Sequence, residues 1–359
     1  IGIGPTLAVD AGGAYTYYAS PGFYKEQLCL GATCVTRTVQ VAPDLLTEVT
    51  INTLNNVVYA NAQAGADAGF KIAACLAALP STGGTCDARG LEGAQAISAT
   101  VTVPTKVKLL LGAATFTGSV LPVFEVNSGS SIVGLGMGFT NTDASTRIVT
   151  NLTSGSVIVS ENIAGATDMV TIRDLQIDNT SSSNAGAIGL DLIAAGMWRV
   201  ERIRLNRIET AIRVGGSGSC ACYNHFYSIQ VIDAVTGVNF STTANSNTWT
   251  GGLIGSTVDS GRAFQFSATA SGNILFHPDV ETFPNGIAFD FQLNSGSQTI
   301  YAPYVESGGT VFNIADLAGS SSGIFVSGGT IFSISTLLNN PTNERFVFLD
   351  ATSGWTTNE

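Results

Sequence analysis

The sequence predicts an all-β solenoid, a chain wound into a parallel β-helix, and three observations predict it. From about residue 97 onward, short β-branched and apolar runs alternate with Gly, Asn and Ser, and the helical segments that βαβ units require do not intervene. Those runs repeat: Leu205, Val231, Ile254, Val280 and Val305 fall in one column, with steps of 26, 23, 26 and 25 residues. A second apolar column lies about seven residues further on, at Ile212, Val238, Ile287 and Phe312, with Phe264 reached after a longer turn. Strand-and-turn units of this period bury their apolar face only against the units before and after them. The competing architecture, a sandwich of antiparallel hairpins, calls for two-residue Asn-Gly or Asp-Gly turns. These are scarce, Asn285-Gly286 being an exception.

The elements follow in order. Residues 1–60 hold strand-like pieces without a shared period and read as an irregular N-terminal β segment, a cap or assembly piece. Next, Asp67 is placed to cap a short helix in which Phe70, Ala74, Cys75 and Ala78 recur at helical spacing before Pro80 stops the run. Residues 61–345 are assigned to the β-helix, headed by this cap helix, and 346–359 to a C-terminal tail.

Composition bounds the rest. Forty-one glycines and ten prolines suit many tight turns, because Gly tolerates positive φ at little cost. The net charge is -11 and no Lys/Arg cluster occurs, so nucleic acid is excluded as a partner. No uninterrupted apolar run reaches the length of a membrane span. Six cysteines in three local pairs, Cys29/Cys34, Cys75/Cys86 and Cys220/Cys222, predict disulfides and a secreted, extracellular protein. A bridge across one residue is strained, so for Cys220 and Cys222 pairing elsewhere, or metal ligation together with His225, stays open. Asn151, Asn179 and Asn239 head Asn-x-Ser/Thr sequons.

The stretch "AGADAGFKIAACLAALPSTGGTCDARGLEGAQAISATVTVPTKVKLLLGAATFT" resembles the entry to pectate-lyase-like β-helices, where a short helix caps the solenoid. Later segments, "NSNTWTGGLIG", "DSGRAFQFSATASGNILF" and "TIYAPYVESGGTVFNI", look like the Asn-rich coils of phage tailspikes. The resemblance spans roughly residues 60 to 335 and implies a right-handed parallel β-helix of the pectin-lyase-like kind. It implies fold far more than activity. The Gly-His-Gly and paired-Asp motifs of polygalacturonases are absent, as is the Arg-x-Pro-x-x-Arg pattern of calcium pectate lyases.

Within such a coil, residues of one column stack about 4.8 Å apart and side chains alternate in and out. With Val280 and Val305 inward, Asp279 and Glu281 point outward on one coil, and Tyr304 and Glu306 do so on the next. His277 shares that outward parity, although the proline after it also restricts its backbone and suits a turn. Stacked carboxylates repel, which raises the pKa of one member and suits acid catalysis. Glu281, Glu306 and Asp279 are therefore the candidate catalytic residues, and His277, Tyr304, Tyr301 and Trp249 the candidate sugar contacts. A second patch, Arg199, Glu201, Arg202, Arg204, Arg207 and Glu209, alternates in charge beside Trp198 and reads as an ion-pair network or subunit contact, the sharper alternative being an acidic-sugar site.

Two functions fit. One is a glycoside hydrolase acting on extracellular polysaccharide, which requires no cofactor, its variant being a lyase that, with so few cations in the chain, would lean on calcium. The other is a noncatalytic structural or adhesive subunit of a fibre, filament or trimeric spike, its low charge and apolar content suiting self-association.

Overall fold

The computed structural model describes residues 22–30, 33–41, 56–138, 145–160, 167–181, 186–216, 219–255, 258, 261–315, 323–341 and 346–349. It divides into two units, 1–55 and 56–359. In the first, Gly22–Leu30 pairs antiparallel with Thr33–Val41, which sets Cys29 opposite Cys34 in the backbone register. Their side chains, and with them the expected disulfide, lie outside what is described.

The second unit is a parallel β-solenoid of about 10 turns, and it has three strand faces per turn where the sequence shows two. Face A runs through Ile172, Val200, Phe226, Trp249, Leu275, Ile300 and Val326, each in register with the next. Face B carries the predicted column from Leu205 to Val305 without a slip. Face C carries the second column with one change. Phe264 pairs with Phe289 and Phe289 with Phe312, so Ile287 belongs two residues earlier, opposite Arg262. The first strand, Val57–Tyr59, already pairs with Gly84–Ala88 within the stretch read as irregular, and the last, Phe346–Leu349, pairs with Ile324–Ser327 inside the assigned tail.

Between faces A and B the chain turns at one residue per coil. Asp174, Arg202, Ser228, Gly251, His277, Ala302 and Gly328 follow one another at this corner, all with φ between 46° and 66°. For a non-glycine residue the left-handed conformation costs about 1–2 kcal/mol. Each coil recovers part of this in a hydrogen bond to its neighbour: the N–H of Ser228, Gly251, His277 and Ala302 donates to the carbonyl of Thr250, Phe276, Tyr301 and Ser327 respectively.

The interior is apolar and ordered in stacks. Phe240, Phe266 and Phe291 lie nearly parallel, with centroids 5.2 and 4.9 Å apart, and Phe264, Phe289 and Phe312 form a second pile at 5.5 and 5.3 Å. Identical residues on successive coils place ring over ring at the strand spacing, which offset stacking favours. Before face A a polar ladder runs parallel to these piles. Asn224 donates to Asn247 Oδ1, Asn247 to Asn273 Oδ1 and Asn273 to Gln298 Oε1, at 2.8, 2.8 and 3.1 Å. Each amide also accepts a backbone N–H, so these fully buried groups are satisfied.

Helix α1 (Ala68–Ala77) covers the first coil. Asp67 caps it by accepting from the Phe70 N–H at 3.0 Å, and it buries Ala68, Ile72, Cys75 and Leu76. Phe70, expected on the buried face, is 47% exposed. Cys75 is bonded to Cys86 on the first full coil, as its spacing suggested. The sulfurs of Cys220 and Cys222 lie against each other, and His225 lies outward on the next strand of face A rather than turned toward them. Asn179 is buried and donates to the Leu152 carbonyl, so among the three sequons it offers no accessible amide.

Candidate functional site

The predicted carboxylates come together on the outer side of face B. The strand from Asp279 pairs with the strand from Tyr304 so that Asp279 faces Tyr304 and Glu281 faces Glu306 across one strand spacing. Val280 and Val305 between them are buried, which sends the acids outward by alternation. Tyr304 donates its hydroxyl to Glu306 Oε2 at 2.9 Å and meets Phe332 of the following coil edge-on at 5.3 Å.

Asp279 is the unusual member. Its Oδ1 is buried without a hydrogen-bond partner among the described residues. Burial, and then the charges of Glu281 and Glu306, push its carboxyl up to about 6. A carboxylic acid of this kind retains its proton in conditions where ordinary carboxylates have lost theirs. The hydrogen bond to Glu306 pushes the Tyr304 hydroxyl up to about 12, so it is a donor at any physiological pH. None of the three acids has a Lys or Arg partner among the described residues, whereas Asp178, Asp191 and Asp290 each hold an arginine at 2.6 Å.

The surroundings are a shallow groove. A depression of about 430 Å³ at the corner of faces A and B is lined by Met137, Ser228, Gln230, Gly252, Leu253, His277 and Asp279. His277 reaches it from the left-handed corner (φ 50°), not through strand alternation, and it is exposed. Tyr301 is 36% exposed on face A and stacks on Phe276 at 5.1 Å. Trp249 differs from expectation: its side chain is 0% exposed, packed between Phe226 and Phe264, and presents no face to a ligand. The cause is parity, because position 249 stands in the inward column of face A with Phe226 and Leu275.

A second depression, about 700 Å³, lies on face A and is lined by Arg199, Glu201, Arg202, His225, Phe226, Tyr227 and Thr250. The charged patch read from the sequence resolves here into ion pairs, Arg199 with Glu201 at 2.7 Å and Arg202 with Asp174 at 2.6 Å. Tyr227 and Phe276 carry no motif that singles them out. Their signal is columnar: Tyr227, Thr250, Phe276 and Tyr301 occupy one outward column on successive coils.

Among the described residues no three His, Cys, Asp or Glu side chains converge as a metal ion would require. The acids on face B therefore do not form a ready-made calcium cage, which takes six to eight oxygens. Among the described residues no helix is long and apolar enough to cross a membrane. No family model, no curated protein and no solved structure matches this chain.

Proposed function

We propose that the chain is a secreted polysaccharide hydrolase of the pectin-lyase-like kind, with Asp279 as proton donor and Glu306 and Glu281 as its partner carboxyl groups. The observation that carries this reading is Asp279 itself: its Oδ1 is buried without a partner among the described residues, and its carboxyl is raised to about 6 beside Glu281 and Glu306. A carboxyl that keeps its proton, set beside further carboxyl groups, suits glycosidic cleavage, one protonating the leaving oxygen and another assisting attack of water at the anomeric carbon. Diagonal neighbours on adjacent strands sit about 7–8 Å apart, which for Asp279 and Glu306 fits the separation of inverting enzymes. Tyr304 orients Glu306 through its hydroxyl. The groove beside Asp279 and the exposed ring of Tyr301 supply a place for the chain to lie. Secretion is supported by the Cys75–Cys86 bond, since such bonds persist in oxidising compartments.

Release of reducing ends from a panel of plant, algal and bacterial polysaccharides tests this directly. Cleavage by the native chain that is lost in Asp279→Asn and in Glu306→Gln is the expected result. Equal cleavage by all three proteins removes the assignment.

One observation favours a second reading, a self-associating surface subunit. Met169, Met197 and Tyr223 follow one another at the corner before face A, 63%, 49% and 61% exposed. An exposed apolar ridge suits contact with another protein chain. Mass measurement in solution and electron microscopy separate the readings: discrete monomers oppose this one, and ordered polymers support it.

A further inference from the structure

The depression on face A sits beside the groove that Asp279 lines without sharing a residue with it. Ser228 of the groove follows Tyr227 in the chain, and Gly252 of the groove lies two residues after Thr250. Tyr227 is two coils from Phe276 along the column that leads to Tyr301, about 10 Å at the strand spacing. A linear chain lying along the coil axis would thus pass both places.

The chemistry of the depression is that of a matched pair with an aromatic floor. Two donors of the Arg199 guanidinium, Nε and Nη2, serve Glu201 Oε1 at 3.0 and 2.7 Å. A guanidinium has five N–H donors in all, so others face the solvent. Glu201 Oε2 meets only Arg202 Nη1, at 3.5 Å, and retains capacity to accept. Donor and acceptor therefore stand side by side. Tyr227, 51% exposed in the same outward column as Glu201, adds a flat apolar face. His225, also outward, and the Thr250 hydroxyl complete the rim.

We propose that this depression is a sugar-binding subsite for an uncharged glycan. The ring packs on Tyr227, and two vicinal hydroxyls bridge Arg199 and Glu201, one accepting and one donating. Each arginine lining the depression is ion-paired, Arg199 with Glu201 and Arg202 with Asp174 and Glu201, Asp174 being shared with Arg173. A chain of net charge -11 also repels polyanions. An acidic polysaccharide would have to compete with Glu201 and Asp174 for these arginines, whereas a hydroxyl pair uses the ion pairs as they stand. The proposal rests on reading this surface as a polysaccharide face and adds the class of polysaccharide.

The test is a glycan array carrying neutral glucan, mannan, galactan and xylan chains beside polygalacturonate and alginate of matched length, probed with the labelled full chain. Binding to at least one neutral chain is expected, weakened about tenfold or more by Tyr227→Ala and by Glu201→Gln. Leu293→Ala, at an exposed turn elsewhere, leaves it unchanged. Preference for the acidic chains, binding to none, or native binding by Tyr227→Ala overturns the proposal. Repeating the array with Asp279→Asn keeps the two readings separable. Tyr227-dependent binding of a neutral chain that is never cleaved sinks the hydrolase and leaves the subsite. Cleavage with no dependence on Tyr227 does the reverse.

Discussion

Tyr304 donates its hydroxyl to Glu306 Oε2 across 2.9 Å, two residues along the same outward side of one strand. Tyr304 also faces Asp279 on the preceding coil. The hydroxyl thus holds Glu306 on the strand that faces Asp279, without being an acid at working pH. Removing it in Tyr304→Phe leaves the ring packed on Phe332 but frees Glu306 to rotate. A net hydrogen bond is worth about 1 kcal/mol, so the expected loss is about five- to tenfold in kcat with KM little changed. Steady-state kinetics with a cleaved polysaccharide check this. An equal rise in KM at constant kcat would instead make Tyr304 a binding residue.

Asp279 gives the pH dependence. Its folded pKa, about 6, is above the ordinary carboxylate value of 3.8 because of burial and the neighbouring Glu281 and Glu306. The native state therefore holds a proton that the unfolded chain has released between these two values. By linkage, stability falls as pH rises through that window. The full effect is discounted for solvent screening of a partly exposed side chain, leaving on the order of 1 kcal/mol. Asp279→Asn should flatten the slope, so that its melting temperature exceeds that of the native chain at pH 8 and matches it at pH 4. Cleavage should decline above about pH 6 as the donor loses its proton.

The coil register was legible because one column, Leu205 to Val305, holds a single apolar residue per turn and its steps vary by no more than three residues. Knowing that Val280 and Val305 face inward is enough to place Asp279, Glu281, Tyr304 and Glu306 outside. The third face was not legible. Its inward residues, such as Phe226, Trp249 and Leu275, sit in three- and four-residue strands flanked by turns, too short to show alternation. That is why Trp249 read as a surface ring. His277 escaped alternation for a different reason, since a left-handed residue at a corner resets the parity of the strand that follows. The ladder of Asn224, Asn247, Asn273 and Gln298 shows in the sequence only as Asn-rich turns. Recognising it requires the coil spacing first, because each amide finds its partner 23 to 26 residues away.

That ladder should be costly to break. Asn247 accepts from both the backbone and the side chain of Asn224, and donates to the Ala221 carbonyl and to Asn273 Oδ1, all at 2.8 to 3.0 Å. Asn247→Ala strands these partners in a site of 0% exposure. Each buried unsatisfied group costs about 1–3 kcal/mol, not additively, so a loss of about 3 kcal/mol or more is expected. A lower urea midpoint at unchanged slope reports it. A midpoint within experimental error of the native one would show that water or repacking satisfies the ladder.

The Trp249 indole makes the opposite prediction. Its Nε1–H is buried and has no hydrogen-bond partner among the described residues, although its ring stacks on Phe226 at 6.0 Å and meets Phe264 edge-on at 5.2 Å. Trp249→Phe removes the stranded donor and keeps an aromatic ring between these neighbours, but leaves a gap where the indole was. An unpaired donor costs about 1–3 kcal/mol and a modest core truncation costs a similar amount, so the two largely cancel. The melting temperature should move by only a few degrees in either direction, while Trp249→Ala, which loses the ring outright, should cost about 3–5 kcal/mol. Glycan binding by Trp249→Phe should equal that of the native chain, because the ring is shielded from solvent. A selective loss of binding at unchanged stability would mean that face A opens to expose this residue when a sugar arrives.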